Sequence, residues 1–393
     1  MNNATFLEKL LDLSADQAGG AEACLSGRQV VWVSLGNDQF FEIANRGRRP
    51  VKASLRIPGE TPYHGANNVQ DHVEGHTHDG EFVLIAEDGS ASLEQYSIQY
   101  VVGKFWANNH VHVVGGKGSV NTRYLYHLLC TVNFIPFLSG GGRAKLTKGK
   151  LVEIPIPIPC PENPEKSLAI QAEIVRILDT FTELTAELTA ELTARKKQYD
   201  YYRDQLLTFK DGEVEWKTLG EVYKFQYGMG NTIPTLGGEY PIYGSNGIVG
   251  AHNEFNSEDS PVIGHIGAYA GIVNWGKGKH FVTYNGVICR LISERVSSKY
   301  AYYQLLKQDF NSMAKSASHP FVSYAELNKV LIPIPSPSEQ VRIVAILDQF
   351  DTLTHSISEG LPREIELRQK QYEYYRDLLL NFPKSEPQTE GVA

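Results

Sequence analysis

Two stretches of the chain carry large apolar residues at alternating steps of three and four. The first consists of Ile174, Leu178, Phe181, Leu184, Leu188 and Leu192, and the second of Ile343, Leu347, Phe350, Leu353 and Ile357. This spacing places the side chains on one face of an α-helix. We predict two long amphipathic helices that bury these faces against each other. Gly360 and Pro362 interrupt the second pattern and predict a kink or break at 360–362, because a proline inside a helix costs ~3 kcal/mol.

The chain repeats itself in four places, in the same order. VVWVSLGNDQF (30–40) aligns with VEWKTLGEVYK (214–224) at an offset of 184, and LVEIPIPIP (151–159) aligns with KVLIPIPSP (329–337) at 178. The helix start QAEIVRILDTF (171–181) aligns with QVRIVAILDQF (340–350) at 169, and KKQYDYYRDQLLTF (196–209) aligns with QKQYEYYRDLLLNF (369–382) at 173. Four ordered matches indicate two tandem halves.

Each half begins with a globular head that is rich in glycine, aromatic and β-branched residues, with turn signals such as GSNG and EDGS between apolar runs. That pattern predicts a strand-rich domain with some helix. The prolines of IPIPIP and IPIPSP then predict an extended link. The predicted class is α+β, with two similar heads separated by two long antiparallel coiled-coil helices and internal pseudo-two-fold symmetry. The predicted boundaries are 1–150 for the first head, 151–165 for the first link, 166–210 for the central helix, 211–328 for the second head, 329–337 for the second link, 338–382 for the C-terminal helix and 383–393 for a tail.

Composition adds little beyond the class of protein. The chain has 393 residues, 42% of them hydrophobic and 21% charged, and no apolar run reaches the roughly 20 residues that a bilayer requires. The N-terminus MNNATFLEKLLDL lacks the pattern of a secretory signal, so we expect a cytoplasmic protein without a membrane partner. Four cysteines without a CxxC spacing predict reduced thiols and argue against a zinc ribbon.

The formal net charge is −8, but the charges are segregated along the chain. No acidic residue lies between Glu94 and Glu153, and none between Ser260 and Ser293, whereas both runs contain lysine and arginine. Such runs predict phosphate-attracting surfaces on the heads; the alternative is ordinary solvated surface. The candidate DNA-binding residues are Lys104, Asn108, Asn109, His110, Lys117, Ser139, Arg143, Lys145, Thr147, Ser245, Asn246, His265, Tyr269, Lys277, Lys279, Lys315, Ser316, Ser318, His319 and Ser323.

Motifs for catalysis or metal binding are absent or weak. The chain has no NPPY motif and no glycine-rich cofactor loop after a strand. GIVNWGKG (271–278) resembles a phosphate-binding loop but lacks the Ser or Thr that would reach magnesium, so we predict a hairpin turn there. HVEGHTHDG (72–80) offers three histidines without cysteine partners, and we predict no metal site.

The tyrosine-rich helix ends occur twice in nearly identical form. Their spacing predicts packing residues or a docking surface, because two identical partners would need two identical docks. The candidates for helix pairing or partner docking are Leu178, Phe181, Leu184, Leu188, Leu192, Tyr199, Tyr202, Leu347, Phe350, Leu353, Tyr372 and Tyr375.

In its doubled heads, IPIP links, QxxIVxILDxF helix starts and QYxYYRDxLL helix ends, the chain resembles the specificity (S) subunits of type I restriction-modification systems over essentially its whole length. The TAEL repeats at 185–192 resemble those of one subgroup. The resemblance implies a non-catalytic subunit that reads a bipartite double-stranded DNA target and binds two methyltransferase (M) subunits and restriction (R) subunits. It implies no cofactor in this chain, with S-adenosylmethionine, ATP and magnesium on the partners.

Two other classes of function remain open at this stage. One is a coiled-coil scaffold with protein-binding or carbohydrate-binding heads, and the other is an enzyme with an unrecognised site. Salt-dependent binding of duplex DNA, or turnover by the isolated chain, would separate the three.

The four-residue TAEL repeat has a physical interpretation. Four residues advance an α-helix by about 6 Å and rotate it by about 40° beyond a full turn. One base pair advances a duplex by about 3.4 Å and rotates it by a similar angle. We hypothesise that the number of repeats sets the length of the unread spacer between the two half-sites; the alternative is a slippage-prone repeat that a solvated helix tolerates.

Overall fold

The computed structural model describes residues 30–140, 144–313, 320–356 and 358–382. The chain divides into two compact units. One contains the residues up to Ala186 together with those from Leu367 onward, and the other contains Glu187–Glu366. Each unit therefore combines a head with segments of the long helices.

The strands follow one another in the same order in both halves, while the second half has an additional short helix at Leu219–Val222 and two helices where the first half has one long helix. The first half contains β1 (Val30–Ser34), β2 (Phe41–Ile43), β3 (Pro58–His64), β4 (Val69–Val73), β5 (His78–Ala86), β6 (Ile98–Ala107), β7 (Val111–Gly116), α1 (Thr122–Leu129), α2 (Lys148–Leu151), β8 (Pro155–Pro159) and α3 (Pro164–Leu206). The second half contains β9 (Glu215–Thr218), α4 (Leu219–Val222), β10 (Tyr223–Tyr227), β11 (Tyr240–Gly244), β12 (Gly247–His252), β13 (Ser257–Gly264), β14 (Val273–Val282), β15 (Gly286–Leu291), α5 (Ser298–Lys307), α6 (Tyr324–Leu327), β16 (Leu331–Ile334), α7 (Pro337–His355) and α8 (Gly360–Leu380). Short 3₁₀ helices cover Asn45–Gly47, Ala53–Leu55 and Ile135–Phe137.

Each head contains a six-stranded sheet of the same topology. The strand order is β2-β7-β5-β6-β3-β4 in the first head and β10-β15-β13-β14-β11-β12 in the second. Among the strands that the structure describes in each sheet, only the pair that joins β3 to β6, or β11 to β14, is parallel. The shared order confirms the predicted duplication.

The first sheet has a buried layer on each face, because successive side chains of its central strands point to opposite faces and both sets are apolar. Val83 and Ile85 of β5 face the main core with α1, whereas Leu84 faces a second cluster with Phe105 and Val113. A sheet buried on both faces explains why these strands read as apolar runs with little alternation.

A glycine with positive φ lies inside one long strand of each sheet. Gly103 of β6 and Gly278 of β14 have φ values of 82° and 61°, a region that other residues adopt at a cost. β6 remains paired with β5 on both sides of Gly103. After the end of β6, Asn108 N donates to His64 O at 3.2 Å, which joins the loops that follow β6 and β3.

The IPIP segments are paired strands, which corrects their prediction as links. β8 runs antiparallel to β1 with Trp32 opposite Pro157, and β16 runs antiparallel to β9 with Trp216 opposite Pro333. These pairs set the true offset at 176 residues, so the alignment at 178 was wrong by two. The pattern of alternating Pro and Ile matches itself at either offset, and only the partner strand decides between them.

The long helices begin where the sequence predicts. The side chain of Asn163 accepts a hydrogen bond from Lys166 N before α3, and Ser336 accepts one from Glu339 N before α7. Because such caps satisfy backbone donors that have no partner inside the helix, they fix these starts.

The second helical region is broken, as predicted, although a few residues earlier. α7 ends at His355 and α8 starts at Gly360, whose φ is 75°. A Cβ at this glycine would lie 2.4 Å from Thr352 O, so no larger residue fits without a shift.

Helix ends pack in the unit of the opposite repeat. In the first unit Phe181, near the start of α3, stacks on Tyr375, near the end of α8, with ring centroids 5.2 Å apart. In the second unit Phe350, five residues before the end of α7, stacks on Tyr202, near the end of α3, at 5.8 Å. In both units the first half of one helical region contacts the last part of the other, which is the order of contacts of an antiparallel pair.

Two smaller predictions are corrected. Residues 273–278 lie within β14 and form part of a strand, so the predicted hairpin turn is wrong. Cys160 is disulfide-bonded, whereas reduced thiols were predicted; Cys130 and Cys289 are free. The absence of a CxxC spacing does not exclude a disulfide, because long-range folding determines which thiols meet.

Candidate nucleic-acid interface

In the first head, three loops from distant parts of the sequence meet in one place, which we call the first rim. They are residues 65–68 after β3, residues 87–90 after β5, and residues 144–146 before α2. The side chain of Asn67 donates to Gly89 O at 2.9 Å, and Leu146 N donates to Glu87 O at 2.8 Å. The turn after β6 joins them, since Glu87 N donates to His110 O at 2.8 Å.

The first rim borders a cleft of about 770 Å³. Its lining includes Asn67, Gln70, Asp88, Ser90, His110 and Lys145. His110 is hydrogen-bonded to Asp88 through its Nδ1. Amide, imidazole and ammonium groups of this kind are those that hydrogen-bond to base edges and phosphates. The cleft brings together two of the predicted DNA-binding residues, His110 and Lys145.

A charged network beneath the first rim centres on Glu87. Its carboxylate lies 2.6 Å from Arg48 Nη1, 2.9 Å from Lys145 Nζ and 3.8 Å from His112 Nδ1. Burial acts to raise the pKa of Glu87, but the hydrogen bonds from Arg48 and Lys145 outweigh it and lower the pKa below its ordinary value. The hydrogen bond to Glu87 raises the pKa of Lys145. Lys145 is therefore held as a cation, in a fixed position at the mouth of the cleft.

The second head forms an equivalent arrangement, the second rim, from residues 245–246 after β11, 265–271 after β13 and 320–323 before α6. Ser245 Oγ donates to Ile266 O at 2.9 Å and to Asn285 O at 3.0 Å, and Gly267 N donates to Pro320 O at 2.9 Å. Tyr269 and Asn246 are exposed on it. The corresponding loops of the two heads thus converge in the same way but present different side chains.

Lys104 and Lys279 occupy equivalent places, one residue after Gly103 of β6 and Gly278 of β14, and both are exposed. Lys279 Nζ lies 4.7 Å from the centroid of the Phe255 ring. Asn109, Lys117 and Lys277 are also exposed. These candidates are accessible to a ligand.

Several candidates stabilise the loops themselves. Ser139 Oγ donates to Lys145 O at 3.1 Å, Thr147 caps α2 by accepting from Lys150 N, and Ser323 Oγ donates to Glu326. Lys117 Nζ donates to Asp38 O at 2.7 Å. These residues lie near the surface, and their side chains form hydrogen bonds that stabilise the loops.

Asn108 and His265 are buried, which corrects their prediction as surface contacts. Asn108 Oδ1 accepts from His110 N at 2.8 Å, and His265 Nδ1 lies 3.0 Å from Val322 O. Both side chains hold neighbouring loops in place, and the sequence could not show this because their burial depends on distant segments. Arg143, Lys315, Ser316, Ser318 and His319 lie outside the described residues, so their role stays a prediction.

Sequence reasoning missed a basic segment near the start of the first head. Between Glu42 and Glu60 there is no acidic residue, and Arg46, Arg48, Arg49, Lys52 and Arg56 fall within eleven positions. The signal was present in the sequence, in an acid-free run shorter than the two at 95–152 and 261–292. It also missed Asn67 and Gln70, whose place in the cleft depends on long-range folding.

The tyrosine-rich helix ends are used in the same way in both units. Tyr199 packs in the core of the second unit, and Tyr372 packs against that of the first. Tyr201 and Tyr374, by contrast, are 62% and 55% exposed. Leu178 and Leu347 are fully buried, while Leu184, Leu188, Leu192 and Leu353 are half-buried. Packing therefore accounts for most of the predicted set. Tyr201 and Tyr374, which that set did not include, are exposed at equivalent positions of the two copies, and Tyr202 is 41% exposed as well.

The predicted histidine cluster is divided between environments. His78 is buried with its Nε2 3.0 Å from Ala44 O, whereas His72 and His76 are exposed. Among the residues that the structure describes, no group of three His, Cys, Asp or Glu side chains is arranged to hold a metal ion. None of the described helices is both long enough and apolar enough to span a membrane.

Two heads of one topology with unlike loops, joined to long helices, define a duplicated DNA-specificity architecture. Residues 30–195 and 212–367 each match the type I restriction modification DNA specificity domain. The chain belongs to this family.

Among its relatives, a putative type I restriction enzyme specificity subunit of Haemophilus influenzae is 46% identical over 97% of this chain and 99% of its own length. The EcoR124I/EcoR124II specificity subunit of Escherichia coli is 47% identical over 59% of this chain and 64% of its own length. The crystal structure of a type I restriction-modification S subunit from M. genitalium shares the fold, with a TM-score of 0.66 at 17% identity, over 91% of this chain and 97% of that one.

Proposed function

We propose that this chain is the DNA-recognition subunit of a type I restriction-modification complex and performs no catalysis itself. Its two heads read the two halves of a bipartite, asymmetric target in double-stranded DNA. The observation that carries the proposal is the pair of rims: the same loops converge in both heads, yet the side chains they present differ. Equal scaffolds with unequal contact residues suit two half-sites of unlike sequence.

The helix ends supply a basis for partner binding. Tyr201 and Tyr374 are exposed at equivalent positions, and each lies beside an arginine that is paired with an aspartate. Two copies of one exposed surface fit two copies of one methyltransferase subunit. In this proposal S-adenosylmethionine, ATP and magnesium are bound by methyltransferase and restriction subunits, and the complex acts on DNA in the cytoplasm.

The test is the methylation pattern that the complex leaves on DNA. Long-read sequencing of DNA from cells that carry the chain with its methyltransferase partner should show one split motif with two unlike halves. Exchanging three residues that line the cleft of the first head, Asn67, Gln70 and His110, for alanine should change one half of that motif only. A complex that binds no duplex DNA, even with its methyltransferase partner, would instead favour an interaction scaffold with protein-binding or carbohydrate-binding heads.

The TAEL repeats extend the proposal to the spacer and to the subgroup of S subunits that carry them. α3 runs without interruption from Pro164 to Leu206 and includes the repeats. Deleting Thr185–Leu188 removes about 6 Å of helix and leaves the leucine stripe nearly in register. The unread spacer should then shorten by about one base pair, and a spacer of unchanged length would remove the idea.

A further inference from the structure

The connection between β2 and β3 in the first head, residues 44–57, combines free cations with a rigid backbone, and we call it the basic loop. We propose that the basic loop is a phosphate-binding clamp for duplex DNA, and that it makes the first head the main source of salt-dependent affinity. The inference rests on the proposed function. It adds a contact site that lies outside the two acid-free runs at 95–152 and 261–292.

The five cations of the basic loop fall into two groups. Arg48 Nη1 donates to Glu87 at 2.6 Å and to Val111 O at 2.7 Å. Arg56 lies 3.3 Å from Asp71 and 4.0 Å above the ring of Tyr63. These two side chains serve the fold.

The other three cations, Arg46, Arg49 and Lys52, are exposed. Their side chains have no hydrogen-bond or ion-pair partner among the residues that the structure describes. Three unpaired cations within seven positions, without a carboxylate among them, create a local positive potential. An ordinary solvated surface usually mixes charges of both signs.

The backbone that carries these cations is held in place on several sides. Arg49 N donates to Ala107 O at 3.0 Å, and Trp106 Nε1 donates to Arg49 O at 2.7 Å. Val51 N donates to Tyr63 Oη at 3.0 Å, and the side chain of Asn45 accepts from Val113 N at 2.9 Å. A loop ordered in advance loses less conformational entropy when it binds, so its cations act as a preformed site.

Apolar side chains next to the cations support a covered surface. Leu55 and Ile57 are 70% and 63% exposed at the end of the loop. Exposed apolar residues beside arginine and lysine are a combination that DNA-binding loops use against a groove.

The second head lacks this device at the equivalent place. Its connection between β10 and β11, residues 228–239, contains no lysine or arginine and one glutamate, Glu239. Leu236 is fully exposed there. The two heads therefore differ in electrostatics as well as in the identity of their rim residues.

The experiment measures binding of a short random-sequence duplex to the full chain across a range of salt concentrations. The test variant replaces Arg46, Arg49 and Lys52 by glutamine. If each cation neutralises one phosphate, the slope of log K against log salt should become shallower by about 2.7. Affinity would then change about 40-fold less between about 50 mM and 200 mM salt.

Two controls separate local contact from net charge. The variant Lys196→Gln, Lys197→Gln, Lys210→Gln removes the same charge from exposed positions elsewhere and should leave the slope unchanged. Arg46→Lys with Arg49→Lys keeps the charge on the loop and should retain the original slope. Thermal unfolding of each variant confirms that the first head is folded.

The outcomes are distinct. If the original chain binds DNA and the glutamine variant keeps its slope, the clamp is overturned while the proposed function stands. If both triple variants lower the slope equally, net charge is responsible and the clamp is again overturned. If the original chain shows no salt-dependent binding of duplex DNA even together with its methyltransferase partner, the clamp and the proposed function both fail.

Discussion

Gln171 joins the head helix of the first unit to the long helix α3, and its loss is predicted to loosen that unit alone. The side chain is fully buried. Its Oε1 accepts from Asn121 N at 2.8 Å, and its Nε2 donates to Ser119 O at 2.7 Å and to Ser167 Oγ at 2.9 Å. Because Asn121 caps α1, this one amide fixes the start of the head helix against α3.

Gln171→Leu keeps the approximate size of the side chain and removes these bonds. The N–H of Asn121 and the carbonyl of Ser119 would then be left without a partner inside the protein. An unsatisfied buried polar group costs about 1–3 kcal/mol, so we expect the first unit to lose about 2–4 kcal/mol of unfolding free energy after some gain from the apolar side chain.

Hydrogen exchange followed by mass spectrometry resolves the two units. Amides of Thr122–Leu129 should lose protection, while those of Ser298–Lys307 in the second unit should not. The equivalent glutamine of the second repeat, Gln340, accepts from Ser297 N at 2.8 Å, so Gln340→Leu should reverse this pattern. The exposed Gln349→Leu serves as the matched control. An effect of Gln171→Leu no larger than that of Gln349→Leu would refute the reasoning.

Three further predictions concern packing, protonation and helix capping. A double-mutant cycle between Phe181→Leu and Tyr375→Leu should give a coupling free energy of about 0.5–1.5 kcal/mol because the two rings stack. The same cycle between Phe181→Leu and Tyr374→Leu should give no coupling, because Tyr374 is exposed. Burial lowers the pKa of His64, His112 and His127 below 6.5, so the unfolded chain binds more protons than the folded chain. The first unit should therefore lose stability in urea denaturation as the pH falls below about 6.5. A stability that does not change with pH would contradict this prediction. Lys307 Nζ donates to Leu207 O at 3.2 Å at the end of α3. In a urea titration, Lys307→Met should lower the unfolding free energy of the second unit by about 1 kcal/mol. Lys329→Met, at an exposed position, should have no effect.

Elements that depend on nearby residues were predictable from the sequence. The starts of α3 and α7 follow from a capping side chain and a proline that are adjacent in the chain. The break before α8 follows from a glycine and a proline two residues apart. In each case the deciding interaction spans only a few residues, so the pattern contains the information.

Elements that depend on distant partners were not predictable in the same way. The register of the IPIP strands is set by Trp32 and Trp216, more than a hundred residues away from the prolines they face. Asn108 and His265 have the residue types of DNA contacts, yet neighbouring loops bury them. The rims themselves form from loops separated by up to 80 residues, so only their general composition was visible in the sequence.

The near identity of the two tyrosine-rich helix ends now has a structural cause as well as a proposed functional one. Tyr202 stacks on Phe350 and Tyr375 stacks on Phe181, each a phenylalanine in the helical region of the opposite repeat, and Tyr199 and Tyr372 pack at equivalent cores. Equal surroundings require equal side chains, so packing alone accounts for these positions. Docking of identical partners must therefore be tested on the exposed tyrosines, because Tyr201 and Tyr374 are the positions whose repetition the cores do not explain.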